Sequence, residues 1–275
     1  MPSHPQHPFA DLALARRLEG AEAKSNADFV DARARVQPDS GACRIEVDGT
    51  YALFDGAGSP LTQTFGLGVF SPATEEGLSR IEEFFRERGA AVFHEVSPMA
   101  DPSILELLSG RGYEPFELST VLVRTIAAEA CGEASDSELT TRVAEPEEAE
   151  LWAATAARGW AESAEAAEFM RDLGTVTMAC RCAVPFFAEI DGLPVATGSL
   201  NLHDGVALFA GASTAPEYRR RGAQNALLAA RLRLAVERGC DLAMMVALPG
   251  SGSQKNAERA GFRIAYTRTK WRLAR

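Results

Sequence analysis

The chain has 275 residues, 46% of them hydrophobic and 24% charged, with a formal net charge of −10. That length suits one large domain or two of ordinary size, and no apolar run approaches the roughly 20 residues that span a bilayer. The acidic balance argues against broad nucleic-acid binding, which needs a basic footprint. Five cysteines, scattered and odd in number, suit a reducing cytoplasm better than a disulfide framework. Cys180 and Cys182 read as free thiols, and His4, His7, His94 and His203 show no ligand spacing, so no metal is expected.

Residues 1–8 are rich in Pro and His and lead into a polar helix, without the apolar centre of a signal peptide. A helix over 75–88 ends at Glu87-Arg88-Gly89, and a strand follows over 91–96. Then come a short helix over 102–109, Gly112-Tyr113, and a hairpin-like stretch over 116–125. Residues 127–139 are small and acidic without apolar period, and read as a linker. Beyond it the pattern predicts a strand over 140–144 and helices over 147–160 and 164–173. Strands over 184–190 and 195–202 flank Asp191-Gly192, a tight hairpin turn.

An apolar strand over 206–213 feeds a basic turn and then a helix over 225–238. Helical spacing turns Leu227, Leu228, Leu232, Ala235 and Val236 inward, and Arg231, Arg233, Glu237 and Arg238 toward water. Gly239 is its left-handed stop. A strand over 241–247, a polar Gly250–Asn256 stretch, a short helix over 253–259, Gly261-Phe262 and residues 263–272 complete the chain.

The two halves share a grammar at an offset near 150 residues. Each has a helix ending in Glu-Arg-Gly, a strand, a short helix, and Gly followed by an aromatic. Gly89 to Gly112 spans 23 positions, and Gly239 to Gly261 spans 22. The halves differ at the turn before the longer helix. The second has Arg219-Arg220-Arg221-Gly222-Ala223-Gln224-Asn225, where the first has Ser71-Pro72-Ala73-Thr74-Glu75-Glu76-Gly77. A basic, Gly-containing turn at a helix N-terminus can cradle an anion, because the first-turn N–H groups and the macrodipole point at it. Acids there would repel one. From residue 219 onward there are 13 Lys plus Arg against 3 acids, a balance of +10 that leaves −20 for the first 218 residues.

The segment Arg219–Gln224 resembles the acyl-CoA pyrophosphate loop of the GNAT superfamily of N-acetyltransferases: Gln or Arg, two residues, Gly, one residue, then Gly or Ala. Gln224 stands where the last small residue would be. The resemblance covers the second half, and the first looks like a degenerate copy. It implies an α+β protein, sandwich-like, of two tandem GNAT folds, each a mixed, mostly antiparallel sheet flanked by helices. The expected domains are 1–126, lacking the CoA loop and shaping the acceptor side, and 140–275, the catalytic domain.

The family's chemistry implies that acetyl-CoA is held by amides from about Arg220 to Asn225, with Arg219 and Arg221 as charged neighbours. Ser213, Thr214 and Ala215 would lie at the acetyl end, one of their N–H groups donating to the oxyanion. The family's Tyr acid falls at Ala257, which departs from the pattern. Ser253 and Asn256 are candidates to bond the sulfur or pantetheine, and Ser253 could equally be a helix N-cap. Glu189, Asp204 or His203 are candidate bases. The implied reaction is direct acetyl transfer from acetyl-CoA to a primary amine of a small molecule, by a monomer or homodimer with no nucleic-acid or membrane partner. A non-catalytic acyl-CoA sensor and an aminoacyl transferase of tandem GNAT type remain open.

Overall fold

The computed structural model describes residues 7–127, 138–160 and 163–274. The chain forms two compact units. One runs to Arg124 and includes Met244 onward; the other is Thr125 to Ala243. This division differs from the expected one, because residues 244–275 pack with the first unit. Most of the expected linker lies outside the described residues, and Leu139 already belongs to a strand. No helix among the described residues is long and apolar enough to cross a membrane.

The first unit opens with α1 (Leu12–Val36), capped by the Asp11 side chain, which accepts from the Leu14 N–H. Strands β1 (Cys43–Val47), β2 (Thr50–Phe54) and β3 (Gln63–Phe65) follow, then α2 (Glu75–Arg86), β4 (Phe93–Val96), α3 (Ser103–Gly110) and β5 (Tyr113–Thr125). The polypeptide then builds the second unit and returns with α7 (Gly252–Arg259) and β11 (Arg263–Leu273). The sheet order is β1-β2-β3-β4-β11-β5, with β3 and β4 parallel and the other described pairs antiparallel. Leu78, Ile81, Phe84 and Phe85 of α2 bury their side chains with Leu67, Val96, Ile104, Leu108, Tyr113 and Trp271. At about 1.5–3 kcal/mol for each large apolar side chain, this stripe is what fixes α2 on the sheet.

The expected hairpins over 116–125 and 263–272 are each one continuous strand, paired with one another. Neither contains a turn residue, and Pro115 is accommodated beside a register shift at Lys270/Trp271. The place of β11 between β4 and β5 is also marked by charge. Arg268 is wholly buried and donates to Glu22 at 2.5 Å, to Glu19 at 3.3 Å and to the Ser119 hydroxyl at 3.2 Å, with Glu95 at 3.2 Å. The Tyr266 hydroxyl donates to Glu19 at 2.8 Å.

The second unit runs β6 (Leu139–Val143), α4 (Ala149–Arg158), α5 (Ala164–Ala179), β7 (Ala183–Ile190), β8 (Leu193–His203), β9 (Val206–Thr214) and α6 (Ala223–Glu237). The strands form an antiparallel meander in the order β9-β8-β7-β6. β10 (Leu242–Ala247) straddles the division. Asp191 and Gly192 both take positive φ, as the β7–β8 hairpin requires. Trp152 is core: it packs with Ala156 and Phe187, and its Nε1 donates to the Phe186 carbonyl at 3.0 Å.

The shared grammar has a structural counterpart. Gly89 and Gly239 both have positive φ, and the next residue's N–H returns into its helix, Ala90 to Phe85 and Cys240 to Ala235. Each closes its helix with the same six-to-one bond.

Candidate functional site

α6 begins at Gly222, which has φ +88° and ψ −1°, and no side chain among the described residues caps its first turn. Arg220, two residues earlier, is also left-handed at φ +65°. Turns of this kind direct consecutive amides to one side and form anion-binding concavities. Arg219, Arg220, Arg221, Gly222 and Asn225 are exposed, and Ala223 is buried. Gly222 is needed for its backbone, since a Cβ there would meet only Leu139 at 3.7 Å.

The three arginines have different occupations. Arg219 Nη2 donates to the Gly159 carbonyl at 2.8 Å, and its Nε to the Thr214 carbonyl at 3.4 Å. Arg221 lies 3.5 Å from Glu138 and over the Tyr218 ring. Arg220 makes no side-chain hydrogen bond or ion pair among the described residues. Arg219 therefore tethers the loop to the end of α4, leaving Arg220 and Arg221 as the cations at its mouth.

Gln224, the departure from the small residue, also works inward. Its Nε2 donates to the Ser213 carbonyl and the Thr214 hydroxyl, both at 2.8 Å. The longer side chain thus ties the first turn of α6 to the end of β9. The Ser213 hydroxyl donates to the Ala156 carbonyl at 2.6 Å, and the Ala215 N–H donates to the Val195 carbonyl at 3.0 Å. Both hydroxyls and one of the three candidate amides are thus already engaged within the fold. Gly159 had no sequence signal for its part here. A Cβ on it would stand 1.9 Å from Ser213 Oγ and 2.9 Å from the Thr214 N, so the turn after α4 sits directly against the end of β9. Trp160 follows it, half exposed.

Glu189 is buried and bonded to Arg142 at 2.9 Å. Arg142 also holds Glu148 at 2.6 Å, keeping that carboxyl down at about 2, and stacks over Phe187. Glu189 is thereby committed to an ion pair joining β6 and β7. His203 and Asp204 lie at the β8–β9 turn, where His203 faces Val206, whereas Ala196 faces Thr214. The length of β9, about 26 Å at 3.3 Å per step, separates that turn from the basic loop. The structure does not bring them to the loop.

Ser253 and Asn256 are exposed on α7, in the other compact unit. The N-cap of α7 is Ser251, whose hydroxyl accepts from the Gln254 N–H at 3.2 Å, which corrects the alternative reading of Ser253. Ala257 is buried, so this position of α7 carries no proton donor.

Arg231 departs furthest from expectation. Instead of facing water it is 3% exposed, in the middle of the inward stripe of α6. Polarity assigned it outward, while the i, i+4 line Leu227–Arg231–Ala235 runs along the buried face.

The fold is α+β in two units, and in the second of them an arginine-flanked helix N-terminus stands at the end of the meander. Residues 124–250 match the family model described as an acetyltransferase (GNAT) domain. Among solved structures it is similar to a GCN5-related N-acetyltransferase from Kribbella flavida, with 18% identity, a TM-score of 0.66, and 95% of this chain and 96% of that one covered. It is similar to a tandem GNAT protein from the clavulanic acid biosynthesis pathway, with 13% identity, a TM-score of 0.56, and coverage of 92% and 96%. A GCN5-related N-acetyltransferase from Sphaerobacter thermophilus shares 17% identity at a TM-score of 0.53, covering 92% and 91%. At these identities the likeness is one of fold. No curated protein matches the sequence.

Proposed function

We propose that the chain is an acyl-CoA-dependent N-acyltransferase, moving the acetyl group of acetyl-CoA to a primary amine of a small molecule by direct transfer in a ternary complex. One observation carries the reading: the contrast between two helix N-termini. The first turn of α6 is uncapped, starts from a left-handed glycine, and has Arg220 and Arg221 beside it. The first turn of α2 is capped by Thr74, whose hydroxyl accepts from the Gly77 N–H at 3.0 Å. It carries Glu75 and Glu76, and a Cβ on Gly77 would lie 2.9 Å from the Asp48 carboxylate. Each carboxylate about 6 Å from a phosphate costs about 1–3 kcal/mol at effective dielectrics of 80 to 20. A diphosphate is therefore favoured at α6 and opposed at α2, and we read the first half as a degenerate copy without a nucleotide.

In the reaction the amine nitrogen attacks the thioester carbonyl and the C–S bond breaks. The acetyl group leaves on nitrogen, the electron pair leaves on sulfur, and the amine's proton passes to solvent or to the thiolate. The chain's part is to hold the diphosphate at α6 and supply backbone N–H groups to the developing oxyanion. A buried Ala257 removes the side-chain acid at that position, which a thiolate tolerates because its conjugate acid has a low pKa. The same alanine favours a second reading, a sensor that binds acyl-CoA without turnover. Free-thiol release from acetyl-CoA, followed across a panel of primary amines with mass analysis of the products, separates the two. Amine-dependent release with one acetylated product per thiol supports the enzyme. Tight binding with no release across the panel supports the sensor.

A further inference from the structure

α6 buries a guanidinium that no carboxylate meets. Arg231 Nε donates to the Leu227 carbonyl at 3.2 Å. Its Nη1 donates to the Ser199 carbonyl at 3.1 Å and the Ala210 carbonyl at 3.3 Å. The Phe209 ring lies 5.1 Å away. No acid among the described residues pairs with it, and burial drives its pKa down to about 10. Burying a cation on carbonyls alone costs several kcal/mol, and an apolar side chain of similar volume would pack the same space more cheaply.

The two carbonyls it takes belong to Ser199 and Ala210, the ladder pair that borders the place where β8 and β9 break step. Ala196 faces Thr214 and Thr197 faces Ser213, but the next pair is Ser199 with Ala210. Gly211 and Ala212 together therefore oppose the single residue Gly198, which makes a β-bulge. Both bulge residues are exposed, and Gly211 has φ +60°. Gly198 leaves room for the clamp, since a Cβ there would stand 2.8 Å from Arg231 Cζ.

We propose that Arg231 is a positioning residue for acyl transfer: by clamping the Ser199 and Ala210 carbonyls it fixes the bulge, so that the Gly211 amide donates to the carbonyl oxygen of the donor thioester. This rests on the acyl-CoA reading above. The Ala210 carbonyl and the Gly211 N–H belong to one trans peptide group, so drawing the carbonyl toward α6 turns the N–H the other way. A charge-assisted bond to that carbonyl also polarises the peptide and strengthens its N–H as a donor. A neutral donor would do this less well, which gives the buried charge a purpose.

The test uses [1-13C]acetyl-CoA with the full chain, read by calorimetry and by difference infrared spectroscopy of the labelled carbonyl. The parent chain binds and lowers the carbonyl stretch. Arg231→Gln and Gly198→Ala, the latter displacing the guanidinium without removing it, keep Kd within about threefold yet lose at least about half of that shift. Arg231→Lys, which keeps the charge, loses less than Arg231→Gln. A bound but unshifted carbonyl in the parent, or an undiminished shift in both variants, overturns the role of Arg231 and leaves the donor reading standing. Absence of acetyl-CoA binding by the parent sinks the donor reading itself. Should the substituted chains not fold, the Gly211 amide resonance of the parent decides: it moves further with acetyl-CoA than with CoA, and equal movement refutes the proposal.

Discussion

Replacing Glu22 by Gln tests the buried cluster that anchors β11. Three carboxylates (Glu19, Glu22 and Glu95) meet a single guanidinium, Arg268, at sites almost sealed from water. Fully ionised, the cluster would carry excess negative charge in a poor solvent for it. Burial, opposed by Arg268 and aided by Glu95, pushes the Glu22 carboxyl up to about 7; burial, opposed by Arg268 and the Tyr266 hydroxyl, also raises Glu19. A carboxyl whose folded pKa is raised holds more protons in the folded state. Its stabilising contribution is full below the unfolded value of 4.5 and is lost as pH rises through about 7. Between pH 5 and pH 8 Glu22 alone accounts for a loss of about 2–3 kcal/mol, at 1.36 kcal/mol per pKa unit. Glu22→Gln keeps an acceptor for Arg268 and removes the titration, so that much of the pH dependence disappears. Hydrogen exchange of β11 amides in the full chain, at pH 5, 6, 7 and 8 and corrected for intrinsic rates, reads the stability of this unit. A constant offset between variant and parent at all four pH values refutes the reasoning.

Two further changes probe the donor end. Gly159→Ala places a methyl 1.9 Å from Ser213 Oγ at a φ of −77°, where alanine is otherwise comfortable. It should therefore cost about 1–3 kcal/mol by overpacking. Adding Ser213→Ala should recover part of that in chemical denaturation, and strict additivity of the two would contradict the contact. Gln224→Ala removes two hydrogen bonds, worth about 0.5–1.5 kcal/mol each. Exchange of the first-turn amides of α6 should quicken roughly tenfold, and unchanged rates would mean the tether holds nothing.

Where local chemistry decides the outcome, the sequence could be read directly. The Asp191-Gly192 hairpin, the Gly89 and Gly239 helix stops and the basic turn into α6 follow from backbone preferences that need no distant partner. Gly211 carried a weaker signal, since an isolated glycine within a strand pattern is a bulge marker, yet only the register against Thr197 and Ser199 reveals the bulge. Polarity alone places Arg231 outward, but a guanidinium can be buried where carbonyls such as those of Ser199 and Ala210 lie within reach. The division of the chain was illegible for a similar reason. Whether β11 pairs with one set of strands or another depends on long-range register, and a buried Arg268 looks no different in sequence from a surface one. Gly159 appears as a common helix-ending glycine, and only its closeness to Ser213 gives it another duty.

In the proposed reaction the diphosphate of acetyl-CoA rests at the N-terminus of α6. Titration calorimetry with acetyl-CoA on the parent chain, Gly222→Asp and Thr74→Ala tests this most directly, with circular dichroism confirming that each is folded. Asp at position 222 combines a strained left-handed backbone with a like charge at the phosphates, so the single site per chain should weaken at least about 100-fold. Thr74→Ala uncaps α2 and should leave affinity unchanged. Undiminished binding by Gly222→Asp would put the donor somewhere other than the N-terminus of α6.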